Sequence, residues 1–144
     1  MPYQFLEDIA IADVAFRATG KTLEEMFIAS ADALMNVMVA DLKTLRMVEK
    51  VEFHLVNETL DMLLFNFLGE LIFYKDARLL LLRVKSAIIS QIDTHFFALN
   101  AEALGEKLDA TRHPLIVDVK AVTLHRFKVE KKNEEWQSEV VLDI

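Results

Sequence analysis

The residues of this 144-residue chain best suited to chemistry are carboxylates: Asp13, an acid within a strand-like stretch, and Asp143, beside the final residue Ile144. Carboxylate oxygens are the hard donors that calcium and magnesium select, and a terminal carboxylate adds one that no side chain has to supply. Taken alone, solvated surface acids are the better explanation of the same residues. Four His, at 54, 95, 113 and 125, show none of the close spacings of a helical or finger-type metal site. Each therefore reads first as a surface residue or a satisfied core residue. The dense basic run Lys128 to Lys132, broken by Val129 and Glu130, reads as a solvated hairpin end.

Other chemistries are excluded by what the chain lacks. With no Cys there is no disulfide frame, no thiolate zinc site and no cysteine nucleophile. There is no Gly-rich phosphate loop, no Gly-x-Ser-x-Gly elbow and no His-Glu-x-x-His pair. A formal net charge of −7 with scattered basic residues argues against direct nucleic-acid binding, which needs a phosphate-neutralising stripe. The apolar runs, such as Leu79 to Leu82, fall far short of the roughly 20 residues of a membrane span. The start, Met1-Pro2-Tyr3-Gln4-Phe5-Leu6-Glu7-Asp8, does not read as a secretory signal, so the cytoplasm is the expected location.

These residues must be positioned by one domain spanning 1–144, since 53% hydrophobic residues with only three Gly and two Pro describe a chain with a real core. Residues 3–19 look extended, with the apolar phase changing near Asp13, as a bulge or bend would cause. Thr22 can cap a first helix and Glu25 can reach back to complete a capping box. Leu23, Met26, Phe27, Leu34, Val37 and Met38 give that helix its apolar face. Val51, Phe53 and Leu55 alternate with Lys50, Glu52 and His54 as a half-exposed strand does. A second helix, capped by Asn57 or Thr59, carries apolar residues beyond one stripe and is expected to be buried on more than one side. Leu79–Lys85, Ala87–Gln91 and Thr94–Asn100 read as strands. The alternation from Leu115 to Glu130 predicts a long strand presenting its odd-numbered residues to one face, and a turn at Lys132-Asn133-Glu134 leads into a last strand over Trp136–Ile144. The expected class is α+β, with two amphipathic helices packed on a mainly antiparallel β-sheet.

Over nearly its whole length the sequence resembles the archease family. The resemblance is carried by Tyr3 to Glu7, Ala18-Thr19-Gly20-Lys21-Thr22-Leu23-Glu24-Glu25, Leu63 to Leu71, Arg112-His113, Val119 to His125 and Val141-Leu142-Asp143-Ile144. It implies an accessory protein, not a free-standing enzyme. Such a protein activates a GTP-dependent tRNA-splicing RNA ligase by promoting its guanylylation and multiple turnover. It also implies a divalent ion, calcium in the family, held by Asp13, Asp143 and the terminal carboxylate of Ile144. A general chaperone or adaptor for RNA-modifying enzymes is the alternative. Lys120, Thr123 and His125 match a further family motif, Thr123 and His125 alternating with core residues. The chain departs from the family at Glu7-Asp8-Ile9-Ala10-Ile11-Ala12-Asp13, two residues longer than the usual Glu-His-Thr-Ala-Asp and without its His; Asp8 or Ala10 stands in that place.

Overall fold

The computed structural model describes residues 2–6 and 13–144. Seven strands and two helices follow in the order β1 (Tyr3–Leu6), β2 (Asp13–Gly20), α1 (Leu23–Met38), β3 (Glu49–Asn57), α2 (Leu60–Arg78), β4 (Leu80–Gln91), β5 (Phe97–Lys107), β6 (Ala121–Lys132) and β7 (Glu135–Asp143). The α+β class stands, and the strands divide into two antiparallel sheets, β1-β2-β7-β6 and β3-β5-β4. The expected single extended stretch over 3–19 is two strands paired with each other, Tyr3 opposite Ala18 and Leu6 opposite Ala15. Residues 7–12, between the two strands, lie outside the described set, and with them most of the stretch in which a bulge or bend near Asp13 was expected.

Both helices begin as their caps dictate. The Thr22 hydroxyl accepts from the Glu25 N–H at 3.1 Å, and Glu25 reaches back to the N–H of Lys21 at 3.0 Å, one residue before the cap. Thr59, not Asn57, caps α2, accepting from the Met62 N–H at 3.3 Å. The second helix meets both sheets, with Phe65 half-buried against Phe127 beyond its main stripe, and burial is fuller still on the first helix. In α2 the buried residues form one stripe (Leu63, Leu64, Phe67, Leu68, Leu71, Ile72 and Lys75), while Phe73 is exposed. In α1 burial runs nearly all round, through Ala29, Ser30, Ala31 and Ala33 as well as the larger side chains. Both helices meet both sheets, α1 through β2 and β4 and α2 through β6, β3 and β4, and the alanines of α1 let the backbones approach more closely there. On its β4 side Arg83 grips Asp32 with two parallel bonds of 3.1 Å.

One contiguous core spans both sheets, filled by Phe16, Phe27, Leu34, Leu64, Phe67, Leu81, Leu99 and Val140 among others. Full burial of each such side chain is worth about 1.5–3 kcal/mol, so the core and not any polar contact sets the stability scale. Backbones press close at Gly105 on β5, where an added Cβ would lie 1.8 Å from the Leu81 carbonyl oxygen.

Three further strand assignments change. Leu79–Lys85 and Ala87–Gln91 are one strand, β4, interrupted by a register shift between Val84 and Ser86; the segment expected at Thr94–Asn100 starts at Phe97 and runs to Lys107. The long strand expected from Leu115 begins only at Ala121. Residues 115 and 116 are tied elsewhere, Leu115 bridging to Val39 and the Ile116 N–H donating to the Met38 carbonyl at 2.8 Å. Within β6 the register jumps: Thr123 faces Val141, and the next partner of β7 is Lys128 opposite Glu139. Residues 124–127 thus bulge past Val140, with Arg126 at φ 57°, and the inward phase changes from Val122 to Phe127 and Val129. The predicted turn is a two-residue hairpin, Lys132 opposite Glu135, with Asn133 and Glu134 at φ 55° and 65°.

Candidate functional site

β7 is a central strand, paired on one side with β2 and on the other with β6, and its last residue is the meeting point. Asp13 lies directly opposite Asp143 in the β2–β7 ladder, and Ala121 lies opposite Asp143 in the β6–β7 ladder. Directly opposed residues of an antiparallel pair point to the same side of the sheet. Val14, Phe16, Leu142 and Val140 therefore take the face toward the main core, and Asp13 and Asp143 share the opposite, outer face with the pairs Ala15–Val141, itself covered, and Arg17–Glu139. Both carboxylate residues are half-buried. The main chain of Asp143 is fixed as well, its carbonyl accepting from the Lys120 N–H at 2.8 Å. Ile144 follows with its side chain packed against the core, which settles where the chain points after Asp143.

Two of the three expected ligand residues are thus set opposite each other on one face of the sheet, and the third is adjacent in the chain. Like charges at directly opposed sheet positions repel, so this pair weakens the ladder unless a cation or solvent offsets it. Among the described residues no group of three His, Cys, Asp or Glu side chains is placed to hold a metal ion. Further oxygen donors for a cation here would have to be main-chain or terminal, or come from outside the described residues. Hard oxygen donors are of the type calcium or magnesium takes. Glu7, Asp8 and Ala10, at the departure from the family pattern, lie outside the described residues.

Next along the outward face, Glu139 is buried beneath two guanidinium groups, Arg17 at 3.2 Å from β2 and Arg126 at 3.4 Å from the β6 bulge. This triad joins three strands behind the acidic end. The other family-motif residues are spread out. Lys120 is exposed, Thr123 donates its hydroxyl to the Val141 carbonyl at 3.1 Å, and His125 is exposed on the bulge and not packed in the core.

Of the four His, only His113 is buried. The Asp109 N–H donates to its Nδ1 at 2.9 Å, leaving Nε2 to face Glu106 at 3.1 Å. Glu106 also pairs with Arg112 and accepts from the Arg46 N–H at 2.7 Å. The Arg112 guanidinium above all, helped by the Arg46 amide and His113, pushes the Glu106 carboxyl down to about 2. This group locks the loop after β5; it is the structural role expected of a satisfied core His.

Sequence reasoning missed Lys75, Glu106, Asp118 and Glu139. Lys75 had a visible signal: it follows Leu71 by four and Ile72 by three, on the buried stripe of α2. Glu139 had none, because its acceptor role depends on arginines from two other strands.

A family model described as the Archease protein family matches residues 3–144. Protein archease of Pyrococcus abyssi is 37% identical over 134 residues, covering 92% of this chain and 93% of that protein. Protein archease of Methanosarcina barkeri is 32% identical over 142 residues, covering 99% and 95%. The solution structure of protein 1598 of Methanobacterium thermoautotrophicum superposes with a TM-score of 0.85 at 29% identity over 99% of both chains. The crystal structure of an archease from Thermotoga maritima, described as a possible chaperone, gives 0.57 at 17% identity over 98% of both, a likeness of fold alone.

Proposed function

The chain belongs to the archease family, and on that footing we propose that it is an accessory protein that activates a GTP-dependent tRNA-splicing RNA ligase. It promotes guanylylation of the ligase and lets it turn over repeatedly, and it catalyses no reaction of its own. Its working end is the acidic end of the first sheet. Asp13, Asp143 and the terminal carboxylate of Ile144 hold a divalent cation, calcium by the family likeness. The bound ion supplies charge neutralisation and a fixed geometry.

The observation that carries this reading is the register that sets Asp13 opposite Asp143 on two central strands. Two like charges are placed where sheet energetics disfavour them, and a cation is the simplest group that turns the pair from a cost into a binding site. The protein's own residues do the rest. The Lys120 N–H holds the Asp143 carbonyl, and the Ile144 side chain seats the end of the chain against the core. The overall charge of −7 complements a ligase with a basic RNA groove, since opposite potentials speed encounter.

The test is single-turnover guanylylation of the cognate ligase with wild type, Asp13→Ala and Asp143→Ala, each shown to be folded. Stimulation by wild type and not by the variants is the expected result. A second reading, a general chaperone or adaptor, draws on Val56, Ile88 and Ile92, each more than half exposed on the second sheet and the turn that follows β4. Equal stimulation by all three proteins would discard the carboxylate site, and no stimulation by any would leave the chaperone reading in its place.

A further inference from the structure

One charged side chain is buried where neither the carboxylates nor the core requires it. Lys75, on α2, is 4% exposed. Its Nζ donates to the Val119 carbonyl at 2.9 Å, meets Asp76 at 2.5 Å and pairs with the Asp118 carboxylate. An ammonium has three hydrogens, and these three acceptors use them all. Burial works against the charge, yet the Asp118 and Asp76 hydrogen bonds outweigh it and raise the pKa. The head group borders a cleft of about 200 Å³ walled also by Met38, Leu81, Leu115 and Ile116, none of which offers a side-chain acceptor to replace them.

What Lys75 holds is the lead-in to the candidate site. Val119 is fully buried, the next residue donates its N–H to the Asp143 carbonyl at 2.8 Å, and the one after that, Ala121, pairs with Asp143. Helix α2 is therefore joined to Asp143 by two hydrogen bonds, one from the Lys75 side chain and one main-chain, at the two ends of a single peptide. We propose that Lys75 is a positioning residue for the cation site: by pinning residues 118–119 to α2, it sets the Lys120 N–H that orients Asp143 and the chain into Ile144. The inference rests on the reading of Asp13, Asp143 and Ile144 as cation ligands. If Lys75 is removed, the start of β6 loosens and the carboxylates sample a wider spread of positions, while the core is left in place. Partners that orient metal ligands typically change metal affinity by roughly 10–100-fold.

The experiment titrates the full chain with calcium alone by calorimetry and measures hydrogen exchange at the Lys120 amide. It compares wild type with Lys75→Met, Asp118→Asn and Val51→Ala, a core change on β3 away from residues 118–120. Lys75→Met is expected to weaken calcium binding by about tenfold or more and to speed exchange at Lys120. Asp118→Asn shifts both in the same direction by less, and Val51→Ala loses stability without moving either. Wild-type affinity in Lys75→Met overturns the inference, as does an equal loss in Val51→Ala. If Lys75→Met does not fold, Asp118→Asn decides: unchanged affinity with unchanged Lys120 exchange overturns the inference. Wild type that binds no calcium overturns the carboxylate reading itself, a result distinct from any difference among the variants.

Discussion

Ser30 on α1 and Ser138 on β7 place their hydroxyl oxygens 2.8 Å apart, with both residues fully buried. Ser30 also reaches the Met26 carbonyl at 2.8 Å, so Ser138 is the natural donor to Ser30 and the helix is fastened to the strand that ends in Asp143. Ser138→Ala should cost about 1 kcal/mol, because one buried bond is lost while Ser30 keeps its main-chain acceptor. The check is a double-mutant cycle by urea unfolding, in which Ser30→Ala with Ser138→Ala costs less than the two single changes together. Strict additivity would show that the two hydroxyls do not interact.

The opposition of Asp13 and Asp143 predicts a reversal of rank with solvent conditions. In chelator, Asp13→Asn should be more stable than wild type by about 0.5 kcal/mol, the scale of a relieved like-charge pair across a sheet. In calcium at a hundred times the dissociation constant, wild type should gain about 2.7 kcal/mol and overtake the variant. Thermal unfolding of both proteins in the two buffers measures this. The same rank in both would count against an ion between these residues.

Acid should act through Glu106. Its carboxyl is held near 2 in the folded protein against an ordinary 4.5, chiefly by Arg112. The folded state thus favours the ionised form: its contribution is complete above about pH 4.5 and is lost as pH falls towards 2. Glu106→Gln should be less stable at neutral pH and show a shallower decline across that window. Chemical unfolding at stepped pH values gives the slopes, and parallel slopes would remove Glu106 as a source of acid sensitivity.

At the β6–β7 hairpin, Asn133 and Glu134 both have positive φ, a conformation that costs an L-residue such as Glu about 1 kcal/mol and glycine almost nothing. Glu134→Gly should therefore stabilise the protein by up to about 1 kcal/mol, seen as a higher midpoint in urea with an unchanged slope. Destabilisation would mean that the Glu134 side chain makes a contact worth more than the strain.

Local chemistry was legible in the sequence wherever it decided the structure. Thr22, Thr59 and the Asn133–Glu134 turn act through bonds to near neighbours, and the β3 alternation reflects one face in solvent, so each could be read residue by residue. The acidic pair was legible only through family likeness, because nothing in the spacing of residues 13 and 143 reveals a shared ladder position. Distant contacts hid the rest. Alternation over 115–119 is as regular as in a strand, yet the end of α1 captures Leu115 and Ile116. The four-residue bulge at 124–127 shifts the facing of every residue beyond it, and α1 is buried nearly all round where its alanines let the backbones of two sheets approach, which no periodicity within α1 encodes.

That bulge also governs how the molecule meets copies of itself. Among the described residues the first sheet has two open margins, the four-residue β1 and the twelve-residue β6. A long, regular margin would offer a foreign strand an unbroken row of amides and carbonyls, the template for sheet-to-sheet aggregation. On β6 that row is interrupted after Thr123, where the main chain swings out and Arg126 turns left-handed. An incoming strand could zip along a few residues and then lose its partner, so the margin nearest the acidic end is self-terminating. Straightening it by deleting residues from 124–127 would expose a continuous template and convert a solubility safeguard into a polymerisation site.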